Sequence, residues 1–306
     1  MSLEDYRQQP GVFAAFALPT LIWLLLFFVA PLVIIGMYSF GENISLVEIK
    51  TTGTLDNYAR IFQPEILTLL WRSLWIAGIA TILCLIIAYP VALVIATAPP
   101  NQKPWLLLLI MLPFWTNLLI RTYALLNILG TRGRLNEVLG WLWETTNALL
   151  TRIGLGEWQL LGDSFTPLKM LGTPGGVIFG IIYVSLPFAI LPIYSSLERL
   201  NKSYLEASLD LGAGQWKTFY NILLPLTMAG VVTAGIITFI PALGQFITPD
   251  LIGRGQVDMI ANVIERQFKR ANDWPFGSAL SLFLLYITFV LLAIRSFYDA
   301  RKAQLS

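Results

Sequence analysis

The chain has 306 residues, 56% of them hydrophobic and only 12% charged, about half the charged share usual in soluble domains. So little polar material could not cover a soluble globule, and the composition points to a membrane protein. Histidine is absent, which removes the commonest acid–base side chain and metal ligand. The single cysteine, Cys84, excludes an intrachain disulfide and a cysteine zinc site, and a net charge of +2 leaves no electrostatic footprint for nucleic acid.

The few charges are placed unevenly. None occurs in 8–41, 73–102, 170–197, 218–249 or 274–294, and only Arg121 interrupts 104–131. A bilayer core of about 30 Å needs about 20 helical residues, and a backbone in lipid must satisfy its own hydrogen bonds. Six spans are therefore expected, near 13–39, 69–97, 105–128, 175–195, 225–248 and 276–297. The fold class is an all-α membrane protein with six transmembrane helices.

The first span, 13–39, is longer than the roughly 7–15-residue core of a signal peptide, and no small-residue cleavage site follows it. It reads as a retained helix. Segment 41–68 is a loop with a short amphipathic piece, Leu55 to Phe62, after a Thr-Thr-Gly turn. The second span, 69–97, carries Cys84, read as a small packing residue. The third, 105–128, holds Arg121, the one charge deep inside a span. An intramembrane charge is costly and by default functional. Trp115, Asn117 and Tyr123 make a polar and aromatic stretch around it. Pairing of Arg121 with a carboxylate or with carbonyls, and snorkelling to the membrane surface, are both open.

Loop 129–174 places Leu135, Val138, Leu139, Leu142, Leu149 and Leu150 at helical spacing, the pattern of surface helices. After the fourth span, Leu197, Leu200, Tyr204, Ala207 and Leu211 step by three or four. Gly212 then stands where a left-handed helix cap needs glycine. Trp216, Phe219, Tyr220, Leu223 and Leu224 form a second stripe, and Pro225 opens the fifth span. Two short amphipathic helices joined at Gly212 would dock into a groove of another protein or lie as an interfacial hairpin. In loop 249–275, Ile260, Val263, Ile264 and Phe268 share a helical face, and Trp274 sits at the interfacial level of the last span. Pro31, Pro90, Pro113, Pro187, Pro192, Pro241, Gly180 and Gly235 lie within spans, where helices tolerate bends and breaks. With six spans both termini share a side, and basic residues are mildly denser on that side.

Glu206-Ala207-Ser208, three residues, Gly212, nine residues, then Ile222-Leu223-Leu224-Pro225 resembles the EAA motif of permease subunits of binding-protein-dependent ABC importers. Ser208 is the one departure, at the third small residue. Pro113-Phe114-Trp115-Thr116-Asn117 with Arg121, Phe188, Pro241-Ala242-Leu243-Gly244 and Asp273-Trp274-Pro275-Phe276-Gly277 are similar to the spermidine/putrescine branch. The resemblance covers most of the chain.

It implies an ABC importer type I permease (MetI-like) fold with cytoplasmic coupling helices. The organisation it implies is an N-terminal helix and external loop in 1–67, a five-helix permease core in 68–297 and a cytoplasmic tail in 298–306. Both termini would be cytoplasmic in a bacterial inner membrane. The chain has no G-x-x-x-x-G-K-[ST] phosphate loop, so no cofactor is expected on it and ATP and Mg would sit on the partner. The implied partners are two ATP-binding subunits, a second permease, similar or identical, and an external solute-binding protein facing loops 41–68, 129–174 and 249–275.

Coupling to the ATPase would run through Glu206, Ala207, Ser208, Gly212, Ile222, Leu224 and Pro225, with Glu206 making the charged contact. The translocation pathway would use Trp115, Asn117, Arg121, Tyr123, Tyr183, Gln245 and Asp250. Aromatic faces and carboxylates suit ammonium groups; Arg121 would repel them. In several relatives an acidic residue stands at the position of Gln245, a departure that weakens a specific cation site here. The alternatives are a permease for ferric iron, a phosphonate or an amino-acid derivative, and more distantly a stand-alone channel or secondary carrier. An intramembrane enzyme lacks the paired carboxylates, serine–base pair or histidines it would need.

Overall fold

The computed structural model describes residues 10–45, 48–152, 164–201 and 203–305, with side chains described from 17 to 293 within them. The chain is helical almost throughout. The first span is α1 (Pro10–Leu24), a π turn (Leu25–Val29) and α2 (Ala30–Ser39). A small antiparallel hairpin follows, β1 (Gly41–Asn43) and β2 (Ile49–Thr51), in the register Gly41↔Thr51, Glu42↔Lys50, Asn43↔Ile49. Then come α3 (Asp56–Ile61), α4 (Pro64–Thr97), α5 (Lys103–Met111), a 3-10 turn (Leu112–Trp115), α6 (Leu118–Leu129), α7 (Arg134–Arg152), α8 (Pro174–Glu198), α9 (Ser203–Asp210) and α10 (Gln215–Thr218). A π turn (Phe219–Leu223), α11 (Leu224–Gly244), α12 (Ile247–Gly253), α13 (Ile260–Lys269) and α14 (Trp274–Leu305) complete it. Part of the loop expected between α7 and the fourth span, 153–163, lies outside the described residues, as does Ser306 of the expected tail.

Among the described residues five stretches are long and apolar enough to cross a membrane: Ala17–Ser39, Pro64–Thr97, Pro174–Glu198, Gln215–Gly244 and Trp274–Ala293. A sixth counts if the pair Lys103–Trp115 and Leu118–Arg152 is one broken span, bent by 93°. The expected third span, 105–128, is therefore not one continuous helix. Pro90, Pro187, Pro192 and Pro241, by contrast, sit inside unbroken helices.

The chain divides into two compact units, one of residues up to Leu67 together with those from Val263 on, the other Thr68–Asn262. In the first, α2 and α3 pack on α14. The join between α2 and the hairpin is fixed by the buried Asn57, whose Nδ2 donates to the carbonyls of Ser39 (3.1 Å) and Gly41 (2.8 Å). Arg60 pairs with Asp273 at 2.9 Å and lies 3.9 Å over the Phe276 ring. Asp273 also accepts the Phe276 N–H, capping α14. From Leu18 to Phe28 the large apolar side chains of the first span are exposed, as a lipid-facing or partner-facing helix requires.

In the second unit α8 and α11 make the most extensive helix pairing. Close approach needs small residues, as in membrane bundles generally. A Cβ on Gly230 would stand 2.5 Å from the Cβ of Ser196, and one on Gly180 would stand 2.5 Å from the Cδ1 of Ile252. One apolar cluster centres on Ile76, Leu129, Ile181, Leu243 and Ile252. A second holds Cys84 with Ala88, Ile95, Ile190 and Ile193. Cys84 is fully buried and unpaired, the packing role expected of it.

Candidate functional site: a coupling segment and a cavity at the break in the third span

The segment expected to form two short helices forms one and a continuation. Residues up to Glu198 belong to α8, so the first short helix starts only at Ser203. It ends in a Schellman closure: Gly212 N–H donates to the Leu209 carbonyl (2.9 Å) and Ala213 N–H to the Ser208 carbonyl (3.1 Å). Gly212 takes φ +80°, a conformation that glycine adopts without strain. The second stripe is not a separate helix. Gln215–Gly244 runs on as one helix through the π turn, and Pro225 follows directly on that turn.

Glu206, Ala207 and Gly212 are exposed, Ile222 and Leu224 are half-buried, and Pro225 is exposed. The predicted first stripe splits. Leu197 is buried in this unit, whereas Tyr204 and Leu211 are turned out, Leu211 being 89% exposed. Ser208 faces inward instead and bonds the Thr218 hydroxyl. Behind the segment, Tyr89 of α4 meets Phe219 edge-on at 5.4 Å, and its hydroxyl bonds Thr227 of α11 at 2.9 Å. An apolar groove of about 870 Å³ runs here, lined by Ile86, Tyr89, Trp216, Phe219 and Tyr220 among others.

At the break in the third span Pro113 has no N–H to give, and Thr116 is extended (φ −82°, ψ 147°). Asn117 restarts the helix by accepting the Leu119 N–H at its side chain (2.8 Å), an N-cap. Arg121, only 7% exposed, reaches back one turn. Its Nη2 donates to the carbonyls of Thr116 (2.8 Å) and Phe114 (3.1 Å), two acceptors within the break. Of the two pairings left open by the sequence, the structure has the carbonyls. Among the described residues Nε of Arg121 has no hydrogen-bond partner.

Arg121 and Gln245 line one cavity of about 470 Å³ with Phe114, Thr116, Ser185, Phe188 and Phe246. Phe114 and Phe188 meet edge-on at 4.8 Å. Gln245 donates to Thr248. The other expected pathway residues do not line this cavity. Trp115 points away and is 74% exposed, Asn117 is used as a cap, and Tyr123, Tyr183 and Asp250 are exposed elsewhere on the unit. Among the described residues no carboxylate lines it. Ser185, Phe188 and Phe246 were not singled out as pathway residues; the i to i+3 spacing of Ser185 and Phe188 on an apolar helix was the available signal.

Five to six apolar spans among the described residues, with an exposed helix–turn between the fourth and fifth, define a multi-pass membrane protein. The family profile described as "Binding-protein-dependent transport system inner membrane component" matches residues 103–304, and the chain belongs to that family. It is 42% identical over 273 residues to the spermidine/putrescine transport system permease protein PotB of Salmonella typhimurium, covering 89% of this chain and 88% of that one. To PotB of Haemophilus influenzae it is 38% identical over 284 residues, covering 92% and 91%. The crystal structure of a bacterial alginate ABC transporter, solved with an alginate pentasaccharide-bound periplasmic protein, has a chain of the same fold. The TM-score is 0.70 at 17% identity, with 98% of this chain and 97% of that one covered. The chain is thus the membrane-spanning permease component of a binding-protein-dependent transport system.

Proposed function

We propose that the chain is a permease subunit of an ATP-driven importer of polyamines, spermidine and putrescine, working by alternating access. The observation that carries this reading is identity of 38–42% to PotB proteins over about nine tenths of both chains. Two ATP-binding subunits would supply the energy, with ATP and Mg held on them. A second permease would complete the pore, and an external binding protein would deliver the solute. Both termini would be cytoplasmic, with 1–67, 68–297 and 298–306 as N-terminal helix and loop, core and tail.

In this reading the exposed α9 docks on the ATPase through Glu206 and its neighbours. Closure of the ATPase pair moves α9, and Gln215–Gly244 carries the movement into the bundle. The rings of Phe188 and Phe246 line the cavity beside Arg121, aromatic groups suited to a cation, while Arg121 itself lies over the Phe114 ring at 5.5 Å. Arg121 is engaged by carbonyls and acts as the fastener of the break. A second reading, an importer of a phosphonate or an amino-acid derivative, is favoured by one observation: Arg121 lines a cavity that no described carboxylate lines.

The test is copurification of the tagged chain, followed by uptake of labelled putrescine, spermidine, a phosphonate and an amino acid by the reconstituted complex. Uptake of polyamine alone, lost on removing the ATPase, is expected. Phosphonate or amino-acid uptake without polyamine uptake refutes the first reading in favour of the second. Uptake without any ATPase refutes both in favour of a carrier.

A further inference from the structure

Ser208 is the residue at which this chain departs from its motif, and the structure gives that departure a use. Its Oγ lies 2.9 Å from Oγ1 of Thr218. Both residues are only 6% exposed, while Glu206, Ala207, Leu209 and Leu211 on one side and Trp216 and Lys217 on the other are open. The hydroxyl pair is therefore the point where α9 and α10 face each other.

Among the described residues little else fixes the angle between them. The Schellman closure orders the end of α9 but stops at Ala213. Gly214 is extended (φ −71°, ψ 158°) and links the helices by a single strand of chain. Leu205 and Phe219 pack on one apolar cluster, a contact without direction. A hydrogen bond is directional and sets a rotation. Beyond Thr218 the helix is unbroken to Gly244, and Thr227 on it is bonded to Tyr89 of α4.

We propose that Ser208 and Thr218 form a hydroxyl latch that fixes α9 on the end of the fifth span and determines how much of each ATPase cycle reaches the bundle. This rests on the reading of α9 as the ATPase-docking helix. The two are positioning residues: neither touches solute. An alanine at position 208 would keep the small size of the motif residue and lose the latch.

The experiment uses the complex in proteoliposomes and reads labelled putrescine moved per ATP hydrolysed. Ser208→Ala and Thr218→Val should each lower that ratio roughly two- to tenfold, the population shift of losing one hydrogen bond. The double variant should be no worse than either single one, because both remove the same bond, and Thr218→Ser should keep the parent ratio. An unchanged ratio in both single variants overturns the proposal, as do losses that multiply in the double variant. Hydrogen–deuterium exchange on the purified full chain gives a second readout that needs neither partner nor solute. Amides of 203–212 should exchange faster in Ser208→Ala, and equal exchange overturns the latch. Glu206→Lys separates the two ideas. If it leaves transport coupled, the docking reading fails; if it uncouples and Ser208→Ala does not, only the latch fails.

Discussion

Replacing Arg121 by methionine tests the account of the broken third span. The substitution keeps the apolar stem of the side chain, shortens it, and removes both hydrogen bonds, to Thr116 at 2.8 Å and Phe114 at 3.1 Å, and the contact over the Phe114 ring. A bond from a charged group contributes ~1.5–3 kcal/mol in soluble proteins, whereas polar contacts measured inside membrane bundles average about 0.6 and reach about 1.7 kcal/mol. The membrane scale is the relevant one here, so two bonds are worth ~1–3 kcal/mol. Part of this is offset, because the charge and its unpaired Nε no longer need burying. A net loss of ~1–2 kcal/mol remains, or about 2–5 °C in the unfolding midpoint of a chain this long. The chain carries its own reporter: Cys84 is its only thiol and fully buried, so a thiol-reactive fluorophore in detergent brightens only as the bundle opens. Solute uptake should fall with the midpoint, since both carbonyls belong to the cavity wall. A methionine variant with the parent midpoint and parent uptake would show that the break holds itself through Pro113 and the Asn117 cap, with Arg121 a bystander.

Two further outcomes are expected. Gly230→Ala should lower the same midpoint by ~1–3 kcal/mol, the cost of overpacking a rigid contact, because its Cβ would meet Ser196 at 2.5 Å and the Pro192 carbonyl at 2.8 Å. Adding Ser196→Gly should restore part of the loss but not all, since the carbonyl stays; full recovery, or none, refutes that geometry. Gly212→Asp should cost only about 1 kcal/mol of backbone strain, as a Cβ there meets nothing within 4 Å. Its effect should appear instead as ATP hydrolysis without uptake, and normal uptake by an assembled complex would remove the turn from the coupling path.

Some of this architecture is legible in the sequence because charge is so expensive in lipid. Gaps between charges mark most of the spans within a few residues, though the fifth starts at Gln215 and not at 225, and the spacing from Glu206 to Pro225 marks the exposed segment on its own. The break in the third span is harder to read. Pro113 resembles Pro90, Pro187, Pro192 and Pro241, all carried inside intact helices. What differs is the cap at Asn117 and a cation four residues later within reach of the freed carbonyls, a three-dimensional coincidence. The orientation of an almost wholly apolar helix is equally hidden. With no polar face to contrast, Trp115 and Tyr123 look as pore-like as Phe114 and Phe188, and the cavity takes the latter pair. The hairpin of β1 and β2 escapes because its strands are three residues each, shorter than a period-two pattern can register. The pairing of Arg60 with Asp273 joins positions 213 residues apart, which no local pattern reports.

The continuity of Gln215–Gly244 has a mechanical consequence. Thirty helical residues make a rod of about 45 Å at 1.5 Å per residue, longer than the roughly 30 Å hydrocarbon layer it crosses. Swinging such a rod by about 10° around one end carries the other about 8 Å, more than the width of an extended amine chain. A tilt of this size about the Trp216 end would thus move the Pro241–Gly244 end, where the cavity lies, by a molecular width.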